Sequence, residues 1–131
     1  MDATQALSDL KEISSQVVDV VILEPDGSML ASTLGGEQAG RFAERVTKLV
    51  ARADSARAVR GLPDLSQLEV ATLEGSVFAV RGGERLIAAT TRPDPTVGLV
   101  FYDLKHCLRT VDELAEQKAK PRRRGKTDAS A

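Results

Sequence analysis

Val17-Val18-Asp19-Val20-Val21-Ile22-Leu23-Glu24-Pro25-Asp26-Gly27-Ser28-Met29-Leu30-Ala31-Ser32 reads as a β-hairpin. Its first seven residues are too rich in β-branched side chains to prefer helix: branching at Cβ restricts χ1 against a helical turn and suits a pleated surface. Pro25-Asp26-Gly27 supplies the turn, because Pro fixes one φ and Gly accepts a positive one. Ser28–Thr33 then returns as the second strand. Val17–Leu23 is apolar almost throughout, which predicts a strand inside a sheet with both faces covered.

Upstream of the hairpin, Ala3, Ala6, Leu7, Leu10 and Ile13 repeat at spacings of three and four, one face of a short amphipathic helix over 3–15. Downstream, Gly35-Gly36 interrupts the chain before a longer helix. Ala39, Phe42, Ala43, Val46, Leu49, Val50 and Ala53 keep the helical spacing to about Arg57. Gly61-Leu62-Pro63-Asp64 ends that segment, since proline lacks the amide a continuing helix needs. Three short stretches follow, Gln67–Leu73, Val77–Arg81 and Leu86–Thr91, separated by Glu74-Gly75 and Gly82-Gly83 at hairpin distance. Leu86–Thr91 is apolar enough for an interior strand. The stretch from Gln67 alternates instead: Leu68, Val70 and Thr72 point one way, Gln67, Glu69 and Ala71 the other. That is the pattern of an edge strand, which proteins either block or use for pairing.

Arg92-Pro93-Asp94-Pro95 is a stiff loop, and a last helix is predicted from Val97 to Gln117. Val97, Val100, Phe101, Leu104, Cys107, Leu108, Val111 and Leu114 form its apolar face, with Asp103, Lys105, Arg109 and Asp112 opposite. The order is αββαβββα, an α+β fold. It predicts a five-stranded antiparallel sheet with one long helix on one face and two helices on the other.

The size and chemistry agree with one domain. The chain has 131 residues, 42% hydrophobic and 28% charged, an ordinary globular balance. No uninterrupted apolar run of 18 residues occurs, and Met1-Asp2-Ala3-Thr4 has neither a basic region nor an apolar core, so neither a membrane span nor a secretory signal is expected. The single cysteine, Cys107, makes no internal disulfide or structural zinc site, and the expected setting is cytoplasmic. With one His, one Tyr and no Trp, the usual ingredients of catalysis are scarce, and the chain is expected not to be an enzyme.

The net charge of −1 hides an asymmetry. Residues 118–131 carry six basic residues against Asp128, a net +5, whereas the body carries 12 basic and 18 acidic residues, a net −6. The expected organisation is a domain over 1–117 and a disordered basic tail over 118–131, which holds no apolar residue larger than Ala to offset its ordering entropy. Without interleaved aromatics, the tail offers only weak, sequence-blind contact with nucleic acid, anionic lipid or an acidic partner, or serves as a solubilising terminus.

The element order, together with the hairpin from Asp19 to Ser32 and the segment Thr96-Val97-Gly98-Leu99-Val100-Phe101-Tyr102-Asp103-Leu104 after an X-Pro loop, resembles the roadblock (dynein light chain-like) family. The likeness covers about residues 3–117 and is strongest to bacterial standalone members that partner Ras-like GTPases. It implies a roadblock/profilin-like sandwich that forms a homodimer. The edge strand after the long helix pairs across a two-fold axis, and the two long helices lie side by side as a docking site for the GTPase. On this chain the pairing strand would be Leu68–Leu73 and the docking helix Glu37–Arg57, with Val46, Leu49, Leu68, Val70 and Thr72 at the dimer interface. The implied role is non-enzymatic regulation or scaffolding, with no cofactor. The alternative is a dimeric adaptor for a signalling kinase or cytoskeletal complex without any GTPase.

The long helix carries one further feature. Arg41, Arg45, Lys48 and Arg52 stand at i, i+4, i+7 and i+11, a basic stripe beside the apolar face. It reads either as an electropositive docking surface for an acidic partner or as a solvated helix face partly neutralised by Glu44. No phosphate-binding loop is present: the Gly pairs at 35–36 and 82–83 lack the Lys-Ser/Thr such a cradle needs, so any GTP would be bound by a partner. His106 and Cys107 are adjacent on a helix and point about 100° apart, so they form no catalytic pair. Cys107 is expected in the core and His106 in solvent, and Asp112, Glu113 and Glu116 read as surface carboxylates and not as metal ligands.

Overall fold

The chain is described by a computed structural model covering the backbone of residues 1–130 and the side chains of residues 1–118. The hairpin forms as β1 (Val17–Leu23) and β2 (Met29–Ser32), with Gly27 at φ +88° in the turn between them. The second strand starts later than its apolar pattern suggests. Asp26 Oδ1 accepts hydrogen bonds from both Ser28 N (2.9 Å) and Ser28 Oγ (2.6 Å), which holds Ser28 in the turn. These bonds also keep the Asp26 carboxyl below its ordinary range.

The remaining strands are β3 (Gln67–Thr72), β4 (Gly75–Gly82) and β5 (Arg85–Thr91). The sheet is antiparallel throughout, in the order β2-β1-β5-β4-β3. The two strands that read as interior, β1 and β5, are interior, and the alternating strand β3 is an edge.

Each sheet face has its own core. On one face α1 (Ala3–Ile13) and α3 (Val97–Ser130) cover Val20, Ile22, Phe78, Val80, Ile87 and Ala89. Phe78 and Phe101 meet edge to face there, with centroids 4.9 Å apart. On the other face the 24-residue α2 (Gly36–Val59) packs Val46 and Val50 against Val21, Ala79 and Ala88.

Three expectations need correction. Ile13 is 69% exposed: Leu10 is the last buried residue of α1, and Ser14 N closes the helix onto the Leu10 carbonyl at 2.8 Å. Val97 is 37% exposed at the start of α3, ahead of the point where that helix meets the core. Asp103, expected on the polar side of α3, is only 8% exposed. It lies one turn from both Val100 and Cys107 and so shares their inward face. The third helix runs on past Gln117, where the apolar spacing ends. The side chains expected in a basic tail, from Ala119 onward, lie outside the described residues.

A half-buried ion pair sets the position of β3. Arg81 Nη2 lies 2.8 Å from Asp54 Oδ2, while Asp54 Oδ1 accepts from Leu65 N at 3.0 Å and Arg81 Nη1 donates to the Leu65 carbonyl at 3.1 Å. The three residues tie the end of α2 to the segment entering β3. Hydrogen bonding from Arg81 holds the Asp54 carboxyl below its ordinary value of 3.8. A carboxylate whose folded pKa is lowered stabilises the fold above the unfolded pKa, and that contribution disappears as pH falls through the folded value. Asp54→Asn is therefore expected to lower Tm at neutral pH, with the gap to the parent closing as the pH drops below 3.8. Thermal melts followed by circular dichroism across that range check it; a gap independent of pH would remove the ion pair as its cause.

Candidate partner-binding surface

α2 covers the sheet face onto which Leu68 of the edge strand β3 also packs. Ala39, Ala43, Val46 and Val50 turn inward from α2 and are buried. The spacing of Arg41, Arg45, Lys48 and Arg52 confines them to a stripe about 60° wide on the opposite side. All four are exposed. Arg41 reaches Glu37 at 3.1 Å and Lys48 reaches Glu44 at 3.2 Å, both i,i+4 pairs with largely exposed side chains. Such pairs contribute at most a few tenths of a kcal/mol and yield readily to a competing acidic group. Among the described residues Arg45 and Arg52 form no salt bridge, so they are the free charges of the stripe.

The sheet edge adds an apolar strip to this charge. Leu68 is half-buried against the α2 core, whereas Val70 is 36% exposed and Thr72 is exposed. Val77, directly opposite Val70 on β4, shares its face and is also incompletely covered. Beyond the strand end, Leu73 is 98% exposed. The structure thus brings Leu68, Val70 and Thr72 into one row on the sheet face that α2 covers, with Leu49 half-buried on the helix. It does not bring Val46 there: that side chain is 2% exposed and packs in the protomer's own core. Val77 was absent from the sequence reading, although the alternation of β4 opposite Val70 is the signal that finds it.

The residues with catalytic or metal-binding potential lie elsewhere. Cys107 is 5% exposed, with Sγ 3.7 Å from the Ala6 carbonyl, and burial followed by the nearby Asp9 charge pushes its thiol up to about 11. A thiol so raised is inert as a nucleophile at neutral pH. His106, the next residue back on α3, is exposed. Asp112 is not a free surface carboxylate: it accepts from Arg85 Nη1 at 2.7 Å, and Arg85 also donates to Glu24. This bridge fastens α3 to the β1–β2 turn, and the two carboxylates, Asp112 first, raise the Arg85 pKa. Among the described residues no group of three His, Cys, Asp or Glu side chains is placed to hold a metal ion, and no helix is long and apolar enough to cross a membrane.

No protein-family model matches the chain, and comparison with curated proteins finds no match. Solved structures do match. A roadblock/LC7 domain from Streptomyces avermitilis superposes with a TM-score of 0.79 at 18% identity, over 88% of this chain and 99% of that one. MglB of Myxococcus xanthus matches with a TM-score of 0.74 at 13% identity, over 88% of each chain. The gliding protein MglB from Thermus thermophilus gives 0.73 at 13% identity, over 88% of this chain and 89% of that one. The element order, the sheet topology and these superpositions agree: the chain has the roadblock fold.

Proposed function

We propose that this chain is a homodimeric, non-enzymatic regulator or scaffold of a small Ras-like GTPase. One observation carries the reading: an unpaired edge strand presents an apolar row on the sheet face that α2 covers, and the outward face of α2 is a continuous basic stripe. Pairing β3 with its copy extends the sheet and covers Val70 and Val77, and it sets two α2 helices side by side. The stripe is then doubled along one surface. An acidic patch on a partner would be steered onto that surface, which raises association rate more than affinity. Any acceleration of GTP hydrolysis would come from reshaping the GTPase's own site, since His106 and Cys107 offer no catalytic pair.

The test is affinity capture from the native cell extract, run in parallel with a GTP analogue and with GDP. A small GTPase enriched with the analogue supports the proposal. Identical partners in both lanes, none of them binding nucleotide, would leave the dimeric adaptor in its place. With the captured GTPase in hand, Arg45→Glu combined with Arg52→Glu is expected to slow association about tenfold or more at low salt while changing dissociation little. Stopped-flow binding at two ionic strengths reads this, because screening must shrink the difference. An association rate unchanged at low salt would make the stripe a solvated helix face.

A further inference from the structure

On the opposite face of the sheet, away from α2 and β3, a pocket of about 360 Å³ opens between α1 and α3. Leu10 and Ile13 line it from α1, Tyr102 and His106 from α3, with Asp9 at its rim and Asp103 within. Asp103 is more than nine-tenths buried, at 8% exposure, yet among the described residues its carboxylate takes no hydrogen bond and no salt bridge. Its oxygens are not sealed in the core, where Ser14 Oγ is the unpartnered side-chain atom, and Asp103 itself lines the pocket. A carboxylate held in a pocket wall with no partner of its own is free to meet an incoming cation.

We infer that this pocket receives a lysine or arginine side chain carried on an apolar segment of a partner protein. The aliphatic stem of such a side chain packs on Leu10 and Cys107, and its charged head reaches Asp103 and Asp9. Charge complementarity favours a cation: Asp9 and Asp103 both line the pocket with no Lys or Arg, against the single positive charge of the Met1 amino terminus. The collar around the mouth favours a protein segment over a free amine. Ile13 and Tyr102, which line the pocket from the two helices, are 69% and 68% exposed. A free amine leaves this collar wet, whereas apolar residues flanking the cation cover it. The site goes beyond the proposed GTPase docking and is independent of it. Lying across the sheet from α2, it lets one protomer hold two partners together.

The elementary step is tested with n-butylammonium, the lysine side chain cut free, titrated into the isotope-labelled full chain and followed by NMR, with n-butanol as control. Saturable shifts at Asp9, Asp103 and Cys107 with the ammonium and not the alcohol are expected. Asp103→Asn, which keeps the shape and removes the charge, is expected to abolish them while leaving Tm unchanged or raised. A lowered Tm would mean that the carboxylate holds the fold together, and shifts that persist in Asp103→Asn would mean that it binds nothing; either overturns the assignment. The peptide acetyl-Leu-Lys-Leu-amide is expected to bind at least tenfold more tightly than n-butylammonium, and Tyr102→Ala to remove most of that gain. Equal affinity of peptide and amine would overturn the docking of a protein segment.

Discussion

Glu69→Pro is expected to convert the proposed dimer into a folded monomer of 14.0 kDa. The parity of the β3–β4 ladder singles out this residue. Ser66 accepts a hydrogen bond from Arg81 N at 2.8 Å, so the pair 66/81 is hydrogen-bonded, and in an antiparallel ladder every second pair follows suit. Leu68, Val70 and Thr72 therefore direct their amides at β4, and Gln67, Glu69 and Ala71 direct theirs at the free edge. Proline at 69 removes no bond within the protomer, but it deletes the central outward donor and sets a ring against any incoming strand. Val70→Pro is the counterpart: it breaks a bond to β4 and is expected to loosen the hairpin itself, at about 1–3 kcal/mol for the orphaned group. Light scattering at micromolar concentration, with circular dichroism for the fold, separates the two. The proline variant at 69 also loses the concentration dependence of Tm that a dimer carries. If it stays dimeric while folded, the pairing does not run through this edge.

Much of this surface is legible from local pattern. The run of β-branched residues from Val17, the glycine of the turn and the alternation from Gln67 are each set by neighbours in sequence, and each element formed where its pattern stands. Even Val46 was readable: Ala39, Ala43, Val46 and Val50 share one helical spacing, which puts Val46 in the core whatever the relatives do with that helix. Asp103 escaped for the reverse reason. Its position between Val100 and Cys107 marks an inward face, while its carboxylate argues for the outside, and the conflict between position and type is itself the signal of a site. The ion pairs were beyond reach. Arg81 meets Asp54, and Arg85 meets both Glu24 and Asp112, only because the sheet order brings together residues far apart in the chain. The free charges of the stripe, by contrast, follow from spacing: Glu37 and Glu44 stand four residues before Arg41 and Lys48, and no carboxylate stands three or four residues from Arg45 or Arg52.

Glycine positions show the same limit most sharply, and they yield the largest expected loss of stability. In sequence Gly27 and Gly75 are alike, each closing a tight turn between strands. Gly27 has φ +88° and open space around it. Gly75 has φ +150°, and a methyl group placed there would press into the Thr91 carbonyl oxygen, well inside van der Waals contact. That oxygen has little freedom to retreat. Thr91 is 5% exposed, and its hydroxyl donates to the Arg92 carbonyl at 2.9 Å and accepts from Ser76 N at 3.3 Å. Gly27→Ala therefore costs the conformational strain alone, about 1–2 kcal/mol. Gly75→Ala adds a backbone collision to a strained φ and is expected to cost about 4 kcal/mol. At roughly 3–5 °C per kcal/mol for this length, that is a fall in Tm of well over 10 °C, read directly by calorimetry. The β3–β4 turn must shift to relieve the clash, so a surviving fraction should also dimerise poorly, because β3 moves with it. Equal losses in the two variants would mean that φ alone sets the requirement for glycine and that the approach of Thr91 contributes nothing.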